Sequence, residues 1–368
     1  MSKPNILLLT NEKFSGDSAG QIDGYKILVN SGELGSVTSV SHNLENVDNL
    51  SQILRALETV NYDLLVIWSP NTFPKYEEDF AKILQLNNAR PIVYWEGDPW
   101  GVSGSFGLKG RKPPTSQMAW WMQHSDYVFT IAGFPQAHEF VRIGAKLVFQ
   151  TIHTYCHLKF HHEEKNEPQP FFEYDLSMMS RNLSRIPFLT GVPGSSKRFF
   201  LVKQIRSLPE IDFRLFGSQW PSHWSKGLLE YDDVVKEMRK SRFNVNWDNF
   251  DYYHDYASDR LPLAMISGRP SFSTLHPGMN WAPRQDLGVN LFEEPKKLID
   301  ELLNNLSRNP EETHLLGLAG HQWARHRISH REGARYILSK VCGITPPPAD
   351  PWSALPAPIT SNSSINNR

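Results

Sequence analysis

The sequence predicts an α/β protein with two parallel-sheet domains, and three observations support this prediction. Short apolar runs typical of buried strands alternate with amphipathic stretches typical of helices. Such alternation indicates βαβ units, in which helices cover both faces of a parallel sheet. The series is interrupted once, by the polar and proline-bearing residues 157–170, and then resumes. The length of 368 residues also suits two domains of ordinary size.

The first half begins with the apolar run NILLLT, residues 5–10, which predicts a strand buried on both faces of the sheet. Five further strands are predicted, at residues 37–41, 62–68, 91–95, 127–132 and 146–151. The helices between them are predicted at residues 22–29, 50–60, 77–86, 116–124 and 135–143. We therefore expect an N-terminal domain over residues 1–156, followed by a linker over residues 157–170.

The second half repeats the pattern over residues 171–344. Strands are predicted at residues 175–180, 212–216, 243–247, 271–275 and 290–292. Helices are predicted at residues 195–207, 231–240, 263–267 and 295–306, and a single long helix from about residue 310 to 341 closes the domain. Residues 345–368 are rich in Pro and Ser with little to bury, which predicts an extended or disordered tail.

Composition excludes several classes of protein. Lys plus Arg number 38 and Asp plus Glu 39, so the net charge of -1 creates no bulk attraction to nucleic acid or to a membrane. The two cysteines, Cys156 and Cys342, are too few and too far apart for a disulfide framework or a zinc site. The apolar run Ile6 to Leu9 is too short for a signal-peptide core, which predicts a cytoplasmic protein.

The segment from Phe250 to Leu275, FDYYHDYASDRLPLAMISGRPSFSTL, has the order loop, helix, turn, strand. Arg260 lies at the start of the predicted helix, where unpaired N–H groups and the positive end of the dipole favour an anion such as phosphate. The alternative is structural: Asp259 caps the helix, Arg260 is solvated and Gly268 ends the helix.

A second phosphate candidate is the turn GSSKR, which opens a helix and presents Lys197 and Arg198. The alternative for both side chains is a solvated helix face. Trp220 and Tyr231 follow a predicted strand and are candidates for stacking on a nucleobase, although aromatic residues there are equally typical of a core. Arg181 and Arg185 are weaker candidates for the cation.

In the first half, WEGDPW lies at the carboxyl end of a predicted strand, the edge at which parallel sheets bind ligands. Gly97 and Pro99 force a sharp turn that exposes Asp98, which we predict as a general base, with Glu96 in reserve. The alternative is that these carboxylates accept turn N–H bonds. Asp17 and His124 are weaker candidates.

Residues 231–338 resemble the nucleotide-sugar-binding domain of GT-B glycosyltransferases of the CgeB-like, family 1 group. The resemblance rests on YDDVVKEMRKSRFNVNW, on SDRLPLAMISGRP, and on the ending that runs from LFEEPKK to GARYIL. It implies a GT-B fold, two Rossmann-like parallel-sheet domains facing across a cleft. It also implies that a nucleotide diphosphate sugar binds to residues 175–340 and an acceptor to residues 1–150.

Related families carry Glu-Ala-Met-Ala-x-Gly-x-Pro, whose Glu binds the ribose or the sugar of the donor. Leu263 occupies that position here. The resemblance places Asp255 at the first acidic position and leaves Asp259 as a substitute for the second. Ribose recognition and the choice between inversion and retention of configuration therefore stay open.

The activity that the resemblance implies is a hexosyl or pentosyl transfer to an acceptor hydroxyl. The acceptor is open among glycan, lipid-linked glycan, small metabolite, protein and modified DNA. No DxD motif follows a predicted strand, and the histidines at 153, 157, 161 and 162 show no ligand spacing, so we expect no metal cofactor. The alternatives are an epimerase of the same fold and a non-catalytic nucleotide-sugar-binding protein.

Overall fold

The structure is a computed structural model that describes residues 3–11, 22–43, 49–101, 113–183 and 192–361. Within these ranges the chain forms two compact units. The first holds the described residues up to Ile152 and those from His330 onward, and the second holds His153 to Ser329. The sequence-based division placed residues 330–344 with the second domain, whereas these residues pack within the first unit.

The strands follow the predicted series closely. In chain order they are β1 (Asn5–Thr10), β2 (Ser36–Ser41), β3 (Leu64–Trp68), β4 (Ile92–Glu96), β5 (Tyr127–Thr130), β6 (Leu147–Gln150), β7 (Tyr174–Met179), β8 (Phe213–Phe216), β9 (Ser241–Val245), β10 (Ser271–Thr274), β11 (Val289–Phe292) and β12 (Ile359–Thr360).

The helices connect these strands. In chain order they are α1 (Ile22–Asn30), α2 (Asn49–Thr59), α3 (Glu77–Asn87), α4 (Ser116–His124), α5 (Gln136–Ile143), α6 (His161–Lys165), α7 (Pro193–Arg206), α8 (Val234–Lys240), α9 (Arg260–Ser267), α10 (Pro295–Leu306), α11 (Pro310–Arg327), α12 (His330–Cys342) and α13 (Ala349–Trp352). No helix in the described part of the chain is long and apolar enough to cross a membrane.

The sheet of the first unit has the order β12-β6-β5-β4-β3-β1-β2. Its strands are parallel except for β12, which runs antiparallel to β6. One face carries a continuous apolar core in which strand residues such as Ile67 and Tyr94 pack on Trp121 and Phe140 of the covering helices. Parallel strands bring all their carboxyl ends to one edge, and loops at that edge are the usual ligand-binding positions.

The second unit contains a parallel sheet of order β11-β10-β9-β7-β8. Leu176, Val245 and Phe272 of its strands pack against Leu201 of α7 and Leu298 of α10. Strand β7 pairs with β8 on one side and with β9 on the other, so successive strands are added in opposite directions from β7. The position between β7 and β9 is therefore a topological switch point, where ligands bind in open α/β sheets. The predicted two-domain α/β architecture is confirmed.

The single long helix predicted near the C-terminus is wrong, because the chain breaks between α11 and α12. Ile328 leaves the helical region with φ −130° and ψ 34°. Its carbonyl accepts a hydrogen bond from the Tyr155 amide at 3.2 Å, and Ser329 forms a parallel bridge with Tyr155. No Pro or Gly marks this break, although Ser329 and Glu332 have the Ser-x-x-Glu spacing typical of a helix start.

Helix α12 packs on α1 inside the first unit. Gly24 permits this close approach, since a Cβ atom there would lie 2.2 Å from the carbonyl oxygen of His330. Arg335 donates to both carboxylate oxygens of Glu33, at 2.6 and 2.9 Å. The closing helix therefore stabilises the first unit through a buried backbone contact and a bidentate ion pair.

The expectation of a disordered tail does not hold for residues 345–361. Trp352 is 4% exposed and stacks on Tyr336 of α12 with 4.9 Å between ring centroids. Beyond it, Ile359 pairs with Val148 across the antiparallel β12-β6 ladder. A single aromatic anchor and two strand residues are enough to order a segment whose composition predicted disorder.

Candidate functional site

Two arginine side chains are anchored at the carboxyl edge of the second unit's sheet. Arg198 of α7 donates from Nε to the carbonyl of Trp247, just after β9, and from Nη1 to the carbonyl of Arg181 at 3.0 Å. Arg260, the first residue of α9, donates from Nε to the carbonyl of Met179 at the end of β7, at 2.5 Å. Carbonyl partners orient the guanidinium groups without neutralising them. The structure thus brings both predicted arginines to one edge.

The two guanidinium groups repel each other. Burial first, and then the positive charge of Arg260, lower the pKa of Arg198 to about 9. Burial also opposes the charge of Arg260, but the carboxylates of Asp259 and Asp248 outweigh it and raise the pKa of Arg260. The Arg260 side chain stays 31% exposed, and its Nη1 lies 3.2 Å from Oδ1 of Asp259. An anion placed between the arginines would relieve their repulsion.

The start of α9 offers fewer free amides than the sequence suggested. The Leu261 amide donates to the Ser258 carbonyl at 3.1 Å, and Pro262 has no N–H. Asp259 makes no side-chain capping bond, so the capping alternative for it does not describe this helix. Gly268 does end the helix, with φ +73° in the left-handed region. The Arg260 guanidinium therefore presents more N–H donors at this position than the amides of α9 do.

The start of α7 also offers fewer free amides than the sequence suggested. The amides of Gly194 and Ser195 donate to backbone carbonyls at 3.0 and 3.1 Å. Lys197 forms ion pairs with Asp251 at 3.3 Å and Glu294 at 3.4 Å. The buried Arg198, which is 2% exposed, is thus a better phosphate candidate than its neighbour Lys197.

A buried Asp–His pair lies at the same edge and was missed by sequence reasoning. Asp248 follows β9 and His276 follows β10, and Oδ2 lies 3.0 Å from Nε2. Nδ1 of His276 lies 3.1 Å from the Tyr253 carbonyl, so both ring nitrogens are in hydrogen-bonding contact. Burial alone would raise the pKa of Asp248, but the hydrogen bond and charge of His276 lower it. The available signal was that both residues follow predicted neighbouring strands.

Asp255, the predicted first acidic residue, has an unusual backbone. Its φ of +55° lies in the left-handed region, which non-glycine residues rarely adopt and which is enriched at functional sites. Its amide donates to the Pro277 carbonyl at 2.8 Å, and its own carbonyl accepts from the Trp281 indole at 3.0 Å. Burial raises the pKa of Asp255 to about 6, although His276 opposes the shift.

Leu263, at the position where the sequence resemblance expects a Glu, lies in an apolar environment. The side chain is 2% exposed and packs in an apolar cluster with Phe160, Met179 and Phe216. A carboxylate at this position would be buried among apolar groups at a cost of several kcal/mol. Any replacement for that Glu must therefore come from another position.

A cavity of about 460 Å³ opens at the carboxyl ends of β10 and β11. Polar groups from Thr274, His276, Asn280 and Lys197 line it, together with the backbone turn at Gly278. This volume and this density of polar groups suit a small, hydroxyl-rich group.

The two predicted stacking residues have different environments. Trp220 is 7% exposed, lies 6.3 Å from both Phe199 and Trp224, and donates from its indole to the Ser180 carbonyl at 2.8 Å. These contacts favour the core alternative. Tyr231 is 41% exposed and lies close enough to Arg260 to help raise the pKa of that guanidinium. Of the two, Tyr231 has the accessible ring.

Glu96 is fully buried at the carboxyl edge of the first unit. Its Oε1 accepts from the Ser69 hydroxyl at 2.8 Å and the Asp98 amide at 3.0 Å, and its Oε2 accepts from the Tyr94 hydroxyl at 2.7 Å. Burial, reinforced by the charge of Asp98, raises the pKa of Glu96 to about 7 despite these donors and that of Trp100. Glu96 thus partly fits the alternative predicted for it, a carboxylate that accepts a hydrogen bond from an N–H group of the turn.

Asp98 is partly exposed beside this buried carboxyl group. Its backbone carbonyl accepts from the Gln136 amide at 3.0 Å, which fixes the turn on α5. His124 ends α4, where its ring lies edge-on to that of Phe80 with 5.2 Å between the ring centroids. Asp17 and Arg185 lie outside the described residues. The described part of the chain contains no group of three or more His, Cys, Asp or Glu side chains that could hold a metal ion.

Comparison with known proteins finds a family match in the second half of the chain. Residues 197–339 match the model of the Glyco_trans_1_2 family, described as glycosyl transferase-like. Residues 197–339 are thus glycosyl transferase-like, and the two parallel-sheet units fit the GT-B fold that the sequence resemblance implied. No curated protein matches the chain.

Solved structures of the same fold span nearly the whole chain. Anabaena Alr3699/HepE is 11% identical, with a TM-score of 0.54 over 93% of this chain and 100% of that chain. Sucrose-phosphate synthase from Thermosynechococcus elongatus is 11% identical, with a TM-score of 0.52 over 89% and 95%. T4 phage BGT is 13% identical, with a TM-score of 0.50 over 87% and 95%. At these identities the similarity establishes the fold.

Proposed function

We propose that the protein transfers a sugar from a nucleotide diphosphate sugar to an acceptor hydroxyl. The observation that carries this proposal is the pair Arg198 and Arg260, two guanidinium groups fixed by carbonyls at the carboxyl edge of the second unit. A diphosphate leaving group develops negative charge as the glycosidic bond breaks. Preorganised cations at that position stabilise the developing charge without reorganising.

The same pair supports a mechanism in which protein cations do the work that a divalent ion does elsewhere. Arg260 lies at the positive end of α9, so the helix dipole adds to its charge. Crystal structures of HepE and T4 phage BGT, which share this fold, contain UDP-glucose. We therefore propose a UDP-sugar as the donor, bound without an obligatory metal, and keep the cytoplasmic location as a prediction.

We assign the donor sugar to the cavity of about 460 Å³ beside β10 and β11. His276 lines this cavity and is held by the buried Asp248. Asp255 lies at the same edge of the sheet. Because its pKa is raised to about 6, part of its population is protonated near that pH. Its carboxyl group can therefore donate a hydrogen bond to a sugar hydroxyl or accept one from it. Asp255 thereby takes the role that the resemblance gave it, and Asp259 orients Arg260.

In the first unit we keep Asp98 as the general base for the acceptor hydroxyl. It is partly exposed, whereas Glu96 is buried and hydrogen-bonded on both oxygens. Glu96 fixes the turn by accepting a hydrogen bond from the Asp98 amide. The second candidate function is a non-catalytic nucleotide-sugar-binding protein, which the apolar environment of Leu263 favours.

The test is a thermal-shift screen with UDP, GDP, ADP and TDP and with their glucose and N-acetylglucosamine conjugates, followed by mass spectrometry of incubations with mixed acceptors. We expect stabilisation by one nucleotide series, and a glycosylated product from the same donor. Binding without any product or donor hydrolysis would favour the non-catalytic candidate. No stabilisation by any nucleotide at millimolar concentration would refute the donor assignment.

A further inference from the structure

Two tryptophans lie side by side at the carboxyl edge of the first unit. Trp68 ends β3 and Trp95 is its register partner on β4, so both side chains leave the same face of the sheet. Their rings are tilted by 37° with centroids 5.8 Å apart. Trp95 is 5% exposed, and Trp68 is partly buried.

Neither indole N–H has a hydrogen-bond partner among the described residues, although both nitrogens are buried. A buried donor without a partner costs roughly 1–3 kcal/mol, and native proteins contain few of them. Trp121 in the same unit shows the usual arrangement, because its indole donates to the Phe73 carbonyl at 2.8 Å. Two adjacent unpartnered donors at a ligand-binding edge therefore point to a ligand that supplies the acceptors.

Gly97 lets the backbone of the turn pack closely against these two indoles. A Cβ atom at this position would lie 3.0 Å from Cη2 of Trp95 and 3.3 Å from Nε1 of Trp68. The glycine directly follows Glu96 and precedes Asp98, the proposed base. The indole donors and the carboxylates thus belong to one short turn at the end of β4.

We propose that this turn and the two tryptophans form the acceptor subsite, and that the acceptor is a saccharide. The inference rests on the proposed glycosyl transfer and names its acceptor class. A sugar ring presents C–H groups that pack on an indole face, and hydroxyl oxygens that accept from indole N–H groups. Its hydroxyl protons can in turn be donated to the carboxylate of Asp98.

The charge at this edge argues against an acceptor that carries phosphates. Glu96 and Asp98 are the charged side chains of the turn, and Ser69 beside them is neutral. Asp98, together with Glu96 when it is ionised, repels a polyanion such as DNA, and the described residues of this turn include no Lys or Arg to offset them. A neutral polyol fits these carboxylates and the indole donors together.

The experiment compares the wild-type protein with Trp68→Phe, Trp95→Phe and Gly97→Ala, using Trp121→Phe as the matched control. Each purified variant is applied to an array of immobilised oligosaccharides, a duplex with hydroxymethylated bases and Ser/Thr-rich peptides. UDP binding and the thermal unfolding midpoint are measured on the same preparations. Trp68→Phe and Gly97→Ala keep the test informative if Trp95→Phe fails to fold.

We expect wild type to bind one or more oligosaccharides, and Trp68→Phe, Trp95→Phe and Gly97→Ala to bind them at least 10-fold more weakly with UDP binding unchanged. Trp121→Phe should keep saccharide binding but lose more stability than Trp95→Phe, because only Trp121 loses a hydrogen bond. Binding confined to DNA or peptide, or saccharide binding that survives all three substitutions, overturns the proposal. Absence of UDP binding would refute the donor assignment separately, since the saccharide result does not depend on it.

Discussion

The carboxyl edges of the two sheets have the same architecture and opposite chemistry. The second unit presents Arg198 and Arg260, both held by backbone carbonyls, with Arg260 also paired to Asp259. The first unit presents Glu96 and Asp98 beside the indole groups of its strands. Parallel sheets fix where a loop side chain emerges, and the residues that follow each strand decide what it binds.

The two units also differ in the groups that surround a buried carboxylate, and therefore in the direction in which its pKa is shifted. The second unit lowers the pKa of Asp248 by giving it a histidine partner. The first unit raises the pKa of Glu96 to about 7 by burying it with neutral donors and a second carboxyl group. In the proposed reaction, the edge of the second unit stabilises the leaving diphosphate and the edge of the first unit accepts a proton from the acceptor hydroxyl.

The largest expected effect comes from removing the proposed base. Asp98→Asn should lower the rate of sugar transfer by about 10²- to 10⁴-fold, as is typical when a general base is lost. Donor binding, measured by calorimetry with UDP, should be unchanged. Asp79→Asn on α3, which removes a carboxylate 3.4 Å from Lys82, serves as the control and should transfer at the wild-type rate. Equal rates for both variants would exclude Asp98 from catalysis.

Arg260→Ala should lower kcat/KM for the donor by about 10²-fold, because it removes a charge-assisted donor to the leaving diphosphate. Arg284→Ala is the matched control, since Arg284 also pairs with a nearby aspartate, at 3.1 Å, but is 80% exposed. Initial rates at several donor concentrations give both parameters. A value for Arg260→Ala within threefold of the control would contradict the assignment.

Glu96→Gln should change the pH dependence of stability. With its pKa raised to about 7 in the folded state, Glu96 keeps its proton where the unfolded chain has already lost it. The free energy of unfolding should therefore fall as the pH rises from about 4.5 to 7, by roughly 3 kcal/mol for this group. Thermal unfolding at pH 5 and pH 8 should show a smaller decrease in the variant, and parallel decreases would contradict the burial argument.

Tyr231→Ala should have the smallest effect. If its exposed ring stacks on the nucleobase, the donor KM should rise about fivefold, corresponding to ~1 kcal/mol, with kcat nearly unchanged. Trp220→Phe should instead lower the unfolding midpoint without changing KM, because Trp220 packs in the core. An unchanged KM in Tyr231→Ala would leave base recognition to other residues.

The sequence predicted the fold well, because hydrophobic periodicity determines strands and helices locally. Its errors came from long-range contacts. The break at Ile328 depends on pairing with Tyr155, which lies far away in sequence. The ordered structure of residues 345–361 likewise depends on the stacking of Trp352 on Tyr336.

The candidate site was predictable in part. Arg198 and Arg260 follow from helix starts after strands, and the turn after β4 directs attention to Asp98. Three features could not be read from the sequence: the carbonyl anchors of the arginines, the ion pairs of Lys197 and the unpartnered indoles of Trp68 and Trp95. Each depends on which side chains meet in space, and a single sequence carries no record of such pairing.

The central claim, that Arg260 holds the diphosphate of the donor, is tested most directly by comparing UMP and UDP binding in calorimetry. The two ligands differ by one phosphate, so the ratio of their Kd values isolates the contribution of that phosphate. We expect wild type and Arg284→Ala to bind UDP at least 10-fold more tightly than UMP. In Arg260→Ala this ratio should fall to near one, whereas a ratio equal to that of wild type would contradict the account.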